Sequence, residues 1–326
     1  MIRPRGTAVA AALFADALLG EPPEAAHPVV LMGRAISVFE GRVLALKDEW
    51  RLRTAGLFLA AALPTLSFAL ARLTLRLTPP KLRWPLEVAL LSTALSMRGL
   101  ARSALAVVRE LEVGDLEAAR TRVGELVGRD TEHLMPGEVA RAAVESVAEN
   151  TSDGVVAPML YALLLGAPGA LAYKAVNTLD SMVGHPQPPY EDLGWASARL
   201  DDLANLLPAR LTALSVAAVS GRCLTTLATA RRYGPLTRSP NAGLVEAAFA
   251  GALGLELGGA NSYGGVLLRG PLLGSGRPPE PPDIRPAISL MRRSCLLIAA
   301  LFLAAQCATA GGRIAGGCVA GGQTGG

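Results

Sequence analysis

The sequence predicts an all-α fold, a polytopic membrane-embedded helical bundle whose polar loops and amphipathic helices form the site, and three observations carry that prediction. Hydrophobic residues make up 51% of the 326-residue chain, and its mean hydropathy is +0.37. Residues 54–71, 154–173 and 294–312 carry no charge, each over about the 18–20 positions a helix needs to cross a bilayer. Aromatic residues are only 4% while glycine reaches 35 positions, a balance that suits helices packed closely through small side chains. Residues 1–310 are expected to form one membrane-embedded domain. Residues 311–326, too glycine-rich to pack, are expected to be a disordered tail.

The elements follow in order. Arg3 and Arg5 ahead of an apolar run superficially suggest a signal peptide, but Asp16 interrupts that run and Glu21 follows it, so the segment is expected to stay in the mature protein. The weaker apolar segments 7–20, 82–97, 203–220 and 244–257 are short or broken by Asp16, Glu87, Arg210 or Glu246. They are expected to be half-buried, re-entrant or tilted. The net charge is +4, and arginines such as Arg34, Arg42, Arg51, Arg72, Arg98 and Arg120 are scattered. Scatter of this kind marks membrane interfaces and loops and argues against nucleic acid as a partner. Cys223, Cys295, Cys307 and Cys318 lack close metal-ligand spacing and read as inert small hydrophobes.

Four polar islands punctuate the apolar chain. In the first, residues 20–33, Pro22, Pro23 and Pro28 forbid a continuous helix, giving a rigid loop that presents Glu21 and His27. The second runs from Arg129 to Asp153. Pro136-Gly137 marks a helix start, and Glu138, Arg141, Glu145, Glu149 and Ser152 recur at spacings of three and four, which places them on one helical face. In a soluble protein such a stripe would be solvated. Here it runs through Asn150 and Asp153 into an uncharged stretch, where ionisable groups are expensive unless they face water, a partner or a ligand. Carboxylates so grouped, with Asp130 nearby, suit a magnesium ion that keeps waters and binds a nucleotide phosphate. A glycine-rich phosphate loop of the Gly-x-x-x-x-Gly-Lys-Ser/Thr type is missing from the sequence.

The third island spans residues 173–210. Lys174, Asn177 and Ser181 share one helical face, and Arg199, Asp202 and Asn205 share another, so two helices could offer a cation, amides and carboxylates to one cleft. The bland alternative is an Arg199–Asp202 surface pair with a snorkelling Lys174. The fourth comprises Ser239-Pro-Asn-Ala-Gly243 with Glu246, and Gly258-Gly-Ala-Asn-Ser-Tyr-Gly-Gly265. Its glycines would allow close backbone approach to a ligand or simply form a turn. His27, His133 and His185 all lie in these islands. Their spacing does not suit zinc, and a general base is the better role for one of them.

These motifs resemble the CobD/CbiB family of cobalamin biosynthesis proteins. The resemblance rests on Asp16-Ala-Leu-Leu-Gly-Glu-Pro-Pro, His27-Pro-Val, Arg129-Asp-Thr, Arg141-Ala-Ala-Val-Glu-Ser-Val-Ala-Glu-Asn and Asp153-Gly-Val-Val-Ala-Pro-Met. It continues through Lys174-Ala-Val-Asn-Thr-Leu-Asp-Ser-Met-Val-Gly, Ala198-Arg-Leu-Asp-Asp-Leu-Ala-Asn-Leu-Leu-Pro-Ala-Arg and Ser239-Pro-Asn-Ala-Gly-Leu-Val-Glu-Ala-Ala. It implies a multi-pass enzyme of the inner membrane, an adenosylcobinamide-phosphate synthase. Such a ligase joins a propionate of adenosylcobyric acid to aminopropanol or its phosphate, using ATP and magnesium and no prosthetic group. Membrane lipid and other corrin-synthesis enzymes are the further partners implied.

On that chemistry the carboxylate is activated as an acyl phosphate and the amine loses a proton before attack. Glu145, Glu149, Asp153, Lys174 and His133, the last as base, are the expected catalytic residues. Arg129, Asn150, Asn177, Arg199, Asn205 and Asn241 are expected to bind substrate or nucleotide, and Asp130, Glu149, Asp201 and Asp202 to hold the metal. His185 stands where family members often have Tyr, which removes it from the acid–base candidates, and Glu21 replaces a frequent Asp. An AmpE-like non-enzymatic inner-membrane regulator, a transporter with broken helices and a structural scaffold remain as competing readings.

Overall fold

The computed structural model describes residues 5–20, 27–46, 48–185, 187 and 189–319. It is mostly helical. The chain opens with α1 (Arg5–Leu19) and α2 (Pro28–Val43), followed by the long α3 (Glu49–Leu77), α4 (Pro80–Ser92), α5 (Met97–Glu112) and α6 (Leu116–Gly124). Then come α7 (Pro136–Thr151), a π-turn (Ser152–Val156), α8 (Ala157–Leu165), α9 (Ala167–Val183) and the single turn α10 (Tyr190–Leu193). The remainder comprises α11 (Trp195–Ala204), α12 (Leu206–Val219), α13 (Cys223–Tyr233), α14 (Ala242–Leu253), a hairpin of β1 (Leu257–Tyr263) and β2 (Val266–Leu273), and α15 (Ile284–Val319).

Among the described residues, two helical segments, Glu49–Leu77 and Pro281–Gln306, are long and apolar enough to cross a membrane, with mean hydropathies of 1.7 and 1.8. A third candidate is the pair α11 and α12, bent by 47° at Asn205. The first segment contains the uncharged stretch 54–71 and turns Leu57, Phe58, Leu66 and Leu70 outward, the side-chain pattern of a lipid-facing helix. The last begins well before the uncharged stretch 294–312. Its early arginines find partners: Arg285 Nη2 lies 2.9 Å from Glu112 Oε1, and Arg293 Nη2 donates to the Val219 carbonyl.

The stretch 154–173, expected as one span, is instead broken. The chain turns at Gly166 (φ 76°), and α9 starts afresh there with Pro168 in its first turn, which suits a proline whose missing N–H costs nothing at that position. The nine-residue α8 then packs against α9. The first polar island also differs from expectation. His27 is buried at the start of α2, while Glu21 lies outside the described residues. Cys295 is buried and Cys223 exposed; the side chains of Cys307 and Cys318 lie outside the described residues. Of the glycine-rich tail, α15 continues to Val319, and residues 320–326 lie outside the description.

α7 is the centre of the main core and touches α5, α6, α14 and α15. Val139, Ala140, Ala142, Ala143, Val144, Val147 and Ala148 are fully enclosed, and their small volume lets the neighbouring backbones close in. A smaller core of Ile36, Val43, Leu59, Leu179, Val183 and Leu193 joins α2, α3, α9 and α10.

Asp16, the charge that breaks the first apolar run, is completely buried. Its Oδ2 accepts the Arg98 backbone N–H at 3.0 Å, an N–H at the start of α5 that has no intrahelical partner. Arg98 returns the favour by donating Nη1 to Ala17 O at 3.0 Å and Leu18 O at 2.6 Å, the free carbonyls at the end of α1. The Asp16→Ala protein is therefore expected to lose about 1–2 kcal/mol of stability, the cost of deleting a helix cap, read as a lower thermal midpoint in detergent.

The helical expectation omitted one feature. β1 and β2 form an antiparallel pair with Tyr263 opposite Val266 and Asn261 opposite Leu268. The turn is Gly264-Gly265, with φ of 56° and 80°, the positive values that a two-residue type I′ hairpin turn requires.

Candidate functional site

A cavity of about 410 Å³ opens where the C-terminal end of α7, the π-turn, α9, α11 and the start of α14 meet. Its wall carries Glu149, Asp153, Asp180, Asp201 and Asp202, with Asn205, Asn241 and Ser239 alongside and the exposed cations Arg199 and Arg238 at the rim. The π-turn has a local reason to be here. One extra residue per turn re-aims the chain at Ser152–Val156, so Asp153 joins Glu149 on the cavity wall although α7 proper has ended.

The acidic pair on α11 is held by amides. Asp201 is buried, and its Oδ2 accepts from Asn205 Nδ2 at 2.9 Å. Asn205 Oδ1 in turn accepts from the Tyr173 hydroxyl at 2.8 Å, and Tyr173 stacks on Tyr161 with ring centroids 5.1 Å apart. Asp202 Oδ1 accepts from Ser239 Oγ at 3.1 Å, and its backbone carbonyl accepts from Asn241 Nδ2 at 2.7 Å. Arg210 Nη1 donates to Asn241 Oδ1 at 3.0 Å. The Ser239-Pro-Asn-Ala-Gly motif is thus a clamp between α11, α12 and α14, more specific than a flexible glycine turn.

The cavity wall holds more carboxylate than it can comfortably keep ionised. Glu149 is exposed to the cavity, and the protein crowded around that cavity, followed by the charges of Asp201 and Glu145, pushes its carboxyl up. Asp153 is pushed well up by burial and then by Asp201 and Glu149. Burial is also the leading cause at Asp180, with Asp201, Glu149 and Asp202 adding repulsion, and its pKa reaches about 7. Lys174, which donates to Asn177 Oδ1 at 3.1 Å, is the nearby cation that partly offsets this at Asp153. Like charges gathered in low dielectric call for a cation.

Two further compartments adjoin this one. Glu149 also lines a polar recess of about 220 Å³ with Arg129, Glu145, Glu246, Asn261 and Tyr263. There Glu145 is fully engaged. It lies 2.7 Å from Arg129 and 3.4 Å from Arg141, and accepts the Gly258 N–H at 2.7 Å. Both arginines reach Asn261 Oδ1, so the network anchors the hairpin to α7. Glu246 faces the same recess, its carboxyl pushed well up by burial and then by Glu145 and Glu149. His185 borders the main cavity and also a more apolar pocket of about 380 Å³, shared with Tyr190, Tyr263, Val266 and Leu268.

Of the residues expected at the site, the main cavity gathers Glu149, Asp153, Arg199, Asn205, Asn241, Asp201 and Asp202. Lys174 and Asn177 act on Asp201 from behind the wall. Arg129 and Glu145 face the polar recess. Three residues lie elsewhere. Asn150 donates to Ser146 O at 3.0 Å and lines a separate recess with Ser96 and Arg102. His133 sits in an exposed turn.

Asp130 is spent on the hairpin: it accepts from Ser262 Oγ at 2.6 Å, Gly264 N at 2.9 Å and Gly265 N at 2.8 Å. The Ser262 bond leads in holding its carboxyl below the ordinary value. Asp180, Glu191 and Arg238 line the cavity without having been singled out. Asp180 was legible, three residues after Asn177 on the same helix.

Magnesium is the metal to test against this donor set. Among the described residues, no three His, Cys, Asp or Glu side chains come close enough together to cage an ion. The hard carboxylate oxygens spread around the cavity instead suit an ion that arrives already bound to phosphate and water.

The family described as "CobD/Cbib protein" matches residues 9–291. The chain is 44% identical over 297 residues to the "Cobalamin biosynthesis protein CobD" of Klebsiella pneumoniae subsp. pneumoniae, covering 88% of this chain and 93% of that protein. It is 45% identical over 307 residues to the protein of the same description from Chromobacterium violaceum, with 90% and 94% covered. It is 41% identical over 306 residues to the "Cobalamin biosynthesis protein CbiB" of Salmonella typhi, with 91% and 96% covered. No solved structure matches the chain.

Proposed function

The chain belongs to the CobD/CbiB family of cobalamin biosynthesis proteins, and from that premise we propose that it is the adenosylcobinamide-phosphate synthase of its pathway, a multi-pass acid–amine ligase of the inner membrane. It joins a propionate carboxyl of adenosylcobyric acid to aminopropanol or aminopropanol phosphate at the expense of ATP. The observation that carries this reading is the single cavity lined by Glu149, Asp153, Asp180, Asp201 and Asp202 with Arg199 and Arg238 at its rim. Residues 1–310 act as one unit in this reading, and the glycine-rich tail takes no part.

A carboxylate is a poor electrophile until it is phosphorylated, and an ammonium is no nucleophile until it is deprotonated. The propionate attacks the terminal phosphorus of ATP, releasing ADP; the amine nitrogen then attacks the acyl carbon, and inorganic phosphate leaves. Glu149, Asp153, Asp201 and Asp202 would hold magnesium, which when bound withdraws charge from the phosphate oxygens. Arg199 and Arg238 donate to the phosphates from the rim, where flexible exposed side chains can close on an arriving anion. Asn205 and Tyr173 keep Asp201 oriented. Asp180, with a pKa of about 7, is suited to take the amine proton near neutral pH, and its place on the cavity wall supports this reading over one that uses the exposed His133.

Detergent-solubilised protein supplied with adenosylcobyric acid, ATP and magnesium, and with each amine separately, is expected to yield an amide whose mass identifies the true amine. Folded protein that forms no amide with either would overturn the ligase reading in favour of a non-enzymatic membrane role.

A further inference from the structure

The hairpin has two unlike faces. Side chains alternate along a strand and cross-strand partners share a face. Asn261 and Tyr263 on β1 therefore lie on the same face as Leu268 and Val266, their partners on β2. Asn261 ties the root of that face to Arg129 and Arg141. The tip of the face is apolar yet uncovered: Tyr263 is 40% exposed, Val266 60% and Leu268 41%. Across from it stand His185, Gln187 and Tyr190, the rings of His185 and Tyr190 edge to face at 5.7 Å.

This surface is built to stay in place. Asp130 clamps the turn through Ser262 and the two glycine N–H groups, and Tyr190 is tethered by its hydroxyl to Glu40. It is also continuous with the reaction cavity, because His185 borders both and Tyr263 borders the polar recess that Glu149 shares.

The occupant follows from size and chemistry, on the premise that the ligase reading above is right. A corrin macrocycle, with its methyl-bearing rim and upper adenosyl group, is far too large for a cavity of about 410 Å³. Only the propionate arm projecting from its rim can enter. The ring must rest outside the mouth on a surface that is broad, apolar and aromatic.

We propose that the hairpin face of Tyr263, Val266 and Leu268, with His185 and Tyr190 opposite, is the docking subsite for the corrin ring and delivers its propionate arm past His185 to the carboxylate-lined cavity. Aromatic and aliphatic contacts of this kind supply affinity, and the polar wall inside supplies the chemistry. Binding energy from the non-reacting ring is thereby used to place the reacting carboxyl. Asp130 is a positioning residue in this scheme: it shapes the docking surface and touches neither nucleotide nor metal.

The test is equilibrium dialysis of aquocobyric acid against the full-length protein in detergent, followed by its visible absorbance, alongside turnover with adenosylcobyric acid. The Tyr263→Ser/Leu268→Ser double variant is expected to bind the corrinoid at least about tenfold more weakly, with the KM for ATP and for the amine unchanged. Leu267→Ser, on the opposite hairpin face and 63% exposed, is expected to bind as the parent does. Unchanged corrinoid binding in the double variant, an equal loss in Leu267→Ser, or no binding by the parent protein would each overturn the subsite. A parent that binds the corrinoid tightly but forms no amide would overturn the ligase reading while leaving the subsite standing.

Discussion

Replacing Glu149 by Gln is expected to lower amide formation by about a hundredfold or more while leaving the folded protein as stable as the parent or more so. Among the described residues, Glu149 is the one carboxylate that borders both the main cavity and the polar recess. Among the described residues it has no ion-pair partner of the kind that Glu145 has in Arg129 and Arg141. Its carboxyl is pushed up by desolvation and by Asp201 and Glu145, so in the absence of a bound cation its charge is a burden on the fold. Glutamine keeps the shape and removes that charge. Activity and stability should therefore move in opposite directions, as happens where a site stores unfavourable electrostatics for use.

Glu145→Gln supplies the contrast. There the lost charge would free Arg129 and Arg141 and loosen the hairpin, because breaking one side of an enclosed ion pair leaves the other side uncompensated. Turnover by Glu149→Gln at the parent rate, in protein with an unaltered thermal midpoint, would remove Glu149 from the catalytic set.

Why the sequence revealed some of this and not the rest is a matter of range. The stripe Glu138, Arg141, Glu145, Glu149 was readable because helical spacing is local, and α7 does present it along one side. The burial of α7 follows from its alanines and valines, which were equally visible. The split of that stripe into a structural Glu145 and a cavity-facing Glu149 was not readable, since it depends on where a hairpin more than a hundred residues later comes to rest.

That hairpin was itself signalled by Tyr263-Gly-Gly-Val266, two glycines between runs able to pair, but the helical character of the surrounding chain masked it. The same hairpin consumes Asp130, whose acidic neighbourhood in sequence gave no hint that its oxygens face backbone N–H groups. The break within residues 154–173 had a local cue in Gly166-Ala-Pro-Gly169. An uncharged composition outweighed it, although composition alone cannot distinguish one membrane span from two buried helices that fold back.

Asp180 gives the sharpest pH prediction. Its carboxyl titrates at about 7 in the folded protein, against 3.8 for an unperturbed group. Between these values the folded state holds a proton that the unfolded state has released, so stability falls as pH rises from about 4 to about 7 and is flat with respect to this group above that. The Asp180→Asn protein is expected to lose this part of the slope, seen as thermal midpoints that converge with the parent near pH 4 and exceed it at pH 8.

In the proposed reaction catalysis should run the other way, because Asp180 could accept the amine proton only as the ionised carboxylate. Amide formation in the parent is expected to climb with pH as Asp180 ionises, at a pH below about 7 once magnesium offsets the repulsion from Asp201, Glu149 and Asp202. Asp180→Asn is expected to turn over by at least about a hundredfold less without that rise. Magnesium with ATP is expected to raise the thermal midpoint of the parent more at pH 8 than at pH 5, since a cation stabilises the wall only where the carboxylates are ionised. Equal magnesium stabilisation at both pH values, together with an unchanged rate profile in Asp180→Asn, would show that the acidic wall neither receives the cation nor accepts the proton.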